Sequence, residues 1–309
     1  SGIGQKILAD IRADIRDAQK MKDIISDYQP EIVFHLAAQP LVRLSYDIPA
    51  ETYATNVMGT IHIMEAIRSA KSVKVAIMIT TDKCYENKEQ LTGYKENDPF
   101  GGYDPYSSSK GACEIAIQSW RRSFFNPKDY GTKHNVSLAS VRAGNVVGGG
   151  DWALDRIIPD CIRSLESNVP IRIRSPRAIR PWEHVLEPLS GYLLLAQKMW
   201  NFPTYYCEGW NFGPESDSVS TVWDVATKLI THYDHGELID ISNPNEALHE
   251  ANLLMLDITK AKAKLGWKPR LNLDECIALT SDWYKKYNKQ DVYDLCIDQI
   301  HFFNIPLYL

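Results

Sequence analysis

The chain has 309 residues, 44% hydrophobic and 24% charged, with a formal charge of −5 at pH 7. That length and balance fit one large or two interlocked globular domains, and the negative charge offers no overall attraction to nucleic acid. No run reaches the roughly 20 apolar residues of a membrane span, no signal peptide is visible, and the six cysteines lie scattered without a Cys-x-x-Cys pair, so the cytoplasm is expected, and neither a metal site nor a disulfide framework.

In chain order, 17–29 predicts a helix, with Asp17 as its cap, Met21, Ile24 and Ile25 as its apolar stripe and Pro30 as its stop. Residues 31–37 form a run too apolar for a half-exposed strand and are expected to be a buried parallel one. His35 within it is expected to be a satisfied core histidine. A helix over 49–70 leads to a strand over 73–80, which ends in Thr81-Asp82-Lys83. A loop rich in Gly, Asn, Asp and Pro follows, then a helix from about 105 to 125 and another buried strand up to Asn145. Strand, helix, strand, helix, strand at this spacing is a doubly wound parallel sheet with right-handed crossovers.

After Asn145 the strands shorten, prolines and tryptophans accumulate, and helices are expected near 155–167, 185–200, 222–233, 258–265 and 273–287. This part is expected to be a smaller mixed α/β lobe, interleaved with pieces that return to the sheet. The expected division is 1–145 with 184–213 returning to it, against 146–183 and 214–309.

The chemistry is concentrated in Tyr106-Ser107-Ser108-Ser109-Lys110. A Tyr and a Lys four apart share one helix face, where the ammonium can lower the phenol's pKa and let it take a proton from a sugar hydroxyl. Alone the pair is weak, because such a spacing arises by chance. Its company is specific: Thr81-Asp82-Lys83-Cys84-Tyr85, Gly101-Gly102-Tyr103-Asp104-Pro105-Tyr106, Arg142-Ala143-Gly144-Asn145-Val146-Val147-Gly148-Gly149-Gly150-Asp151-Trp152, Ile179-Arg180-Pro181-Trp182 and Glu208-Gly209-Trp210-Asn211-Phe212-Gly213-Pro214.

In this order these segments resemble the extended short-chain dehydrogenase/reductase superfamily and, within it, the nucleotide-sugar 4,6-dehydratases, most closely those acting on CDP-glucose. The resemblance runs from about Ala13 onward. It implies a Rossmann-like dinucleotide-binding domain over 1–145, a nucleotide-sugar-binding lobe, and NAD as cofactor, with NADP left open. It also implies a homodimer, with a tetramer possible, and a place in deoxysugar biosynthesis for surface polysaccharide such as O-antigen. The superfamily's opening strand, Gly-rich turn, helix and second strand are expected to be lacking, since Ser1-Gly2-Ile3-Gly4 follows no strand and reaches Asp14 almost at once.

The implied reaction oxidises C4 of the hexose transiently, removes the C5 proton, expels the 6-hydroxyl and returns hydride to C6. The resemblance assigns Tyr106 as the base toward the 4-hydroxyl, Lys110 as its pKa modifier and ribose ligand, and Thr81 as a hydrogen-bond partner of the same oxygen. Lys83 stands where the dTDP-glucose enzymes carry Glu, so Lys83 is expected to be the C5 base and Asp82 the acid for the 6-hydroxyl. As a solvated strand-end pair, Asp82 and Lys83 would do neither. For the cofactor the resemblance points to Asp14, Ile15, Ala37, Ala38, Asn56 and Thr80 beside Tyr106 and Lys110; for Asn56 a helix-to-loop hydrogen bond without ligand contact is as good a reading. For the nucleotide-sugar it points to Arg43, Asn145, Arg156, Arg180, His249 and Glu250. Arg172 and Arg174 are expected to split between nucleotide and solvent. Trp152 is the tryptophan to watch as a stacking platform. Two alternatives stay open: a 4-epimerase of the same superfamily, which needs no Asp-Lys pair, and an inactive nucleotide-sugar-binding module.

Overall fold

The computed structural model describes residues 2–90, 92–215, 218–243 and 254–303. Helix α1 (Ala18–Tyr28) starts where Asp17 accepts a hydrogen bond from the Lys20 N–H and ends on Gln29 in the left-handed region (φ 44°). Strand β1 (Ile32–His35) follows, then two short helices, α2 (Val42–Asp47) and α3 (Pro49–Tyr53). A π turn over Ala54–Met58 joins α3 to α4 (Gly59–Ser69), so the expected single helix is three segments. Strand β2 (Val75–Ile79) leads through a 3-10 turn (Asp82–Cys84) to α5 (Pro105–Ser123), which Asp104 caps and Pro105 opens. After β3 (Ser137–Ala143) come β4 (Asn145–Val147), α6 (Ile157–Glu166), β5 (Ile171–Ile173), β6 (Ile179–His184), α7 (Leu186–Asn201) and β7 (Gly209–Phe212). The chain continues with β8 (Val219–Thr221), α8 (Val222–Tyr233), β9 (Leu238–Asp240), α9 (Leu273–Lys286) and α10 (Val292–Phe303). The sequence reading did not identify α2 or α10.

The main sheet is parallel throughout, in the order β1-β2-β3-β7, with His35 beside Met78, Ile79 beside Val141 and Ala143 beside Phe212. Side chains alternate across it. Ala76, Met78 and Leu138 face α1, α4 and α5 through Met64, Ile67 and Ile117; Val75, Ile77, Val141 and Phe212 face α7 through Leu195 and Met199. Both faces are covered, which is why β2 and β3 read as continuous apolar runs. The expected α/β doubly wound architecture is present. A separate core joins α6, α8, α9 and β5 through Ile162, Leu165, Val225, Leu229 and Ile277. Small sheets β4-β6-β8 and β5-β9 lie in this part of the chain.

His35 is buried and bonds Thr60 Oγ1 at 3.1 Å, as expected of a core histidine; burial, with Lys110 nearby, lowers its pKa to about 4. The helix faces expected to await a second copy are smaller than the sequence pattern implied. Ile63, Met64, Ile67 and Ile117 are core residues, and Ile61 and Trp120 are partly buried against them. Of the eight named positions, Ile115 and Phe124 remain exposed. The apolar stripes are broad because the helices pack on the sheet and on each other.

Candidate active site

The carboxyl ends of β2, β3 and β6 open onto a cleft of about 1720 Å³. Thr81, Asp82, Lys83, Tyr106, Asn145, Arg43, Arg156 and Arg180 all line it. Parallel strands fix this convergence, because their carboxyl ends lie on one edge of the sheet. The loop before α5 closes tightly on the helix start: Gly102 has φ 133°, and a Cβ there would sit 2.3 Å from the Ser108 nitrogen. Tyr106 is thereby pressed into the cleft floor, its backbone N–H bonded to Ser45 Oγ at 3.1 Å.

Asp82 is 0% exposed, yet its Oδ2 has no hydrogen-bond partner among the described residues. Its Oδ1 accepts from Thr81 Oγ1 at 2.9 Å and from Lys83 Nζ at 3.4 Å. Thr81 also hydrogen-bonds the Tyr106 hydroxyl. The solvated-pair reading of Asp82 therefore fails, since the carboxyl is fully enclosed. The expected lowering of the phenol's pKa is also overturned: burial raises it, with Asp82 and Asp104 adding to the rise, against the opposing pull of Thr81 and Arg156. Lys110 is buried, which lowers its own pKa, and its Nζ reaches the Ile79 carbonyl at 3.5 Å.

Asn145 lies at the start of β4 with a buried Nδ2 that has no partner among the described residues. Arg156 pairs with Asp151 at 2.8 Å, and Arg180 donates to the Ile179 carbonyl at 2.9 Å. Asp155 faces Arg174 at 2.7 Å and Arg43 at 3.7 Å. Arg172 and Arg174 both line the cleft, contrary to the expected split, because positions two apart on a strand share a face. Trp152 is not part of the lining: its ring packs edge-on against Tyr284 and Tyr287. His249 and Glu250 fall outside the described residues.

The residues assigned to the cofactor stand apart from the cleft lining. Asp14 is exposed and held by Arg16, and Ile15 packs against the core under α1 and α4. The Asn56 amide is fully engaged, accepting from the Gln39 N–H and donating to the Gln39 carbonyl and Ser109 Oγ, so it positions the loop after β1 against α5. Thr80 donates its hydroxyl to Glu114 at 2.6 Å. Small, accessible Ala37 and Ala38 at the end of β1, and an ammonium at Lys110 with one long protein contact, leave room and donors for a dinucleotide's ribose and backbone.

A family model described as GDP-mannose 4,6 dehydratase matches residues 5–280. The chain belongs to this family of nucleotide-sugar enzymes in the short-chain dehydrogenase/reductase superfamily. It is 50% identical over 92% of its length to the CDP-glucose 4,6-dehydratase of Salmonella typhimurium, covering 78% of that protein. Its fold matches the dTDP-glucose 4,6-dehydratase DesIV of Streptomyces venezuelae, crystallised with NAD and TYD, at a TM-score of 0.75 and 19% identity, over 90% of this chain and 80% of that one. It also matches the UDP-glucose 4-epimerase of Thermotoga maritima at 0.74 and 22%, over 90% and 85%.

The sequence reading missed two groups. Glu183 and His184, side by side in β6, are both buried; the two Glu183 oxygens and His184 Nε2 have no partner among the described residues. The signal was legible, since a Glu next to a His inside an otherwise apolar strand is unusual. The second is the aromatic shelf of α9: a Cβ on Gly149 would lie 2.0 Å from the Trp283 ring, and Tyr284 donates to the Asp151 carbonyl at 2.6 Å. That shelf fixes the loop carrying Asp151 and Arg156. Only tertiary packing reveals it.

Proposed function

We propose that the chain removes water from CDP-glucose to give the 4-keto-6-deoxy sugar. The observation that carries this reading is the buried Asp82 carboxyl, one oxygen unpartnered, set between Thr81 and Lys83 and beside Tyr106 at the cleft floor. A 4-epimerase needs no such acid, and an inactive module has no reason to keep a buried charge unsatisfied. The half-identity to a CDP-glucose 4,6-dehydratase supports the choice of nucleotide.

NAD, when bound, supplies the oxidation at C4 and the later reduction at C6. Ala37, Ala38 and Lys110 would hold it, with Asn56 shaping the loop beneath. Tyr106 accepts the proton of the 4-hydroxyl. Lys83, as a neutral amine, takes the C5 proton and later returns it, and Asp82 protonates the departing 6-hydroxyl. Arg43, Arg156, Arg172, Arg174 and Arg180 form a cationic wall suited to a diphosphate, and Asn145 offers a buried donor to the hexose. The reading also assigns 1–145 and 184–213 to the dinucleotide and the rest to the nucleotide-sugar. It further includes a homodimer across the surface bearing Tyr53, Met58, Ile115 and Phe124, which are exposed, and a cytoplasmic role in surface-polysaccharide deoxysugar synthesis.

The test is isotopic. With CDP-glucose deuterated at C4, the label is expected at C6 of the product, with solvent deuterium at C5. Label retained at C4 identifies an epimerase, and label lost to water rules out internal return.

A further inference from the structure

The dehydratase reading leaves a proton to be accounted for, and the inference drawn here rests on that reading. One proton leaves the substrate at the 4-hydroxyl, and one must be delivered to the 6-hydroxyl as it departs. The two acceptor and donor side chains, Tyr106 and Asp82, do not act independently in this fold.

Thr81 stands between them. It caps the 3-10 turn with extended backbone (φ −156°, ψ 162°), and its Oγ1 accepts weakly from the Lys83 N–H at 3.4 Å. A hydroxyl has one hydrogen, and that of Thr81 is directed at Asp82 Oδ1, 2.9 Å away. Toward Tyr106 it can therefore only accept. The chain is directional: phenol to threonine hydroxyl to carboxylate. Thr81 is 6% exposed, Asp82 0% and Tyr106 8%, so bulk water is kept off the path.

We infer that Tyr106, Thr81 and Asp82 form a proton relay that carries the proton of the substrate's 4-hydroxyl to the departing 6-hydroxyl. As C4 is oxidised, the O4–H bond breaks and its proton passes to the Tyr106 oxygen, the phenol's own proton passes to Thr81, and Thr81's passes to Asp82. Tyr106 and Thr81 end as they began, and Asp82 is now a carboxylic acid. Its unpartnered second oxygen leaves it free to make a half-turn about Cβ–Cγ and present the proton outward. On elimination the C5–H bond electrons form the C5–C6 double bond, the C6–O bond electrons leave with the oxygen, and Asp82 protonates that oxygen to give water. Reduction at C6 and return of the C5 proton from Lys83 restore every residue to its starting state. The buried rise in the phenol's pKa fits a residue that passes a proton on rather than resting as a phenolate.

The groups facing Asp82 are Lys83 on its own turn, Cys84 next to it, Tyr106 from α5 and Glu183 from β6; those facing Tyr106 are Thr81, Asp82, Asp104 and Arg156. In single-turnover mixing of the holoenzyme with CDP-glucose, the rate at which reduced nicotinamide appears should fall along a bowl-shaped curve as deuterated water replaces water. Several protons then move together; a straight line overturns the relay. Removing the Thr81 hydroxyl forces Asp82 to draw on bulk water. The decay of reduced nicotinamide in Thr81→Val, divided by that in Thr81→Ser, should then fall about tenfold per pH unit, the Lys83 dependence cancelling between the two. A constant ratio overturns the relay. Infrared difference spectra give a readout apart from turnover: the carbonyl stretch of an un-ionised carboxyl should rise with the reduced nicotinamide in the wild type and be missing in Asp82→Asn. Wild type without that band also overturns the relay. A wild type that never forms reduced nicotinamide would instead remove the dehydratase reading.

Discussion

Glu114 on α5 and Glu183 on β6 are both buried glutamates, 0% and 2% exposed, and their surroundings differ completely. Glu114 lies under the sheet with Arg142 bonded to both its oxygens, at 2.8 and 2.9 Å, and with Thr80 and Ser140 donating at 2.6 and 2.8 Å. Arg142 reaches on to the Tyr85 hydroxyl, which bonds Asn211. Burial disfavours the Glu114 charge, but Arg142 and these donors outweigh it and hold the carboxyl below its usual range. Glu183 lies beside the Gly144 turn with neither oxygen bonded. Burial, then Glu187 and Asp82, push its pKa well up, and the Gly144 N–H is near enough to oppose this without closing a hydrogen bond. One glutamate is a charge built into the scaffold; the other is a proton stored behind the cleft. Complete pairing marks a buried polar group that holds the fold, and incomplete pairing marks one kept for the site.

The sharpest way to break this contrast is to remove Arg142. Arg142→Ala leaves Glu114 charged and enclosed, and about 3–5 kcal/mol of stability should be lost, read as a lower denaturant midpoint. The double variant Arg142→Met with Glu114→Leu should recover most of it. If Arg142→Ala unfolds at the wild-type midpoint, the network is not what holds β2, β3 and α5 together.

Acid and base should separate the two glutamates by sign. Glu114's folded pKa is depressed, so its contribution is present above the ordinary glutamate value of about 4.3 and is lost as pH falls through the folded value. Glu183's folded pKa is raised, so the unfolded chain releases its proton first, and stability falls as pH rises from about 4.3 toward the folded value. Glu183→Gln should remove that fall: against wild type it gains stability by about 1.4 kcal/mol per pH unit across this window, and the difference closes in acid. Parallel stability curves for the two proteins between pH 4 and 8 would show that Glu183 is ionised when folded.

The smallest effect is expected at the cleft mouth, where Asp155 joins Arg174 and Arg43 with all three side chains more than 40% exposed. Asp155→Asn should change stability by under about 1 kcal/mol. It should nevertheless lower the KM for the nucleotide-sugar a few-fold at low salt, because both arginines are released toward a diphosphate, and the advantage should vanish as salt is added.

Hydrophobic patterning by itself determined the parallel sheet, since β2 and β3 lie between two helix layers and read as unbroken apolar runs. It also placed Thr81, Asp82 and Lys83 at a strand's end and Tyr106 in the first turn of the next helix, because strand, loop and helix are local features with local signals. The identity of each side chain told which groups could move protons. Their pairing was not legible. Whether Asp82 is solvated or enclosed, whether Lys110 or burial sets the Tyr106 phenol, and whether Thr80 faces a ligand or Glu114 depend on neighbours from β3, β6 and α5 that are distant in sequence. The apolar stripes of α4 and α5 look the same whether they meet a sheet or a second copy, and the fold gives most of them to the sheet. Charge and hydrogen-bonding capacity belong to residues one at a time. Desolvation and partnership belong to the packed whole, and on those the protonation states of Tyr106, Asp82, Glu114 and Glu183 depend.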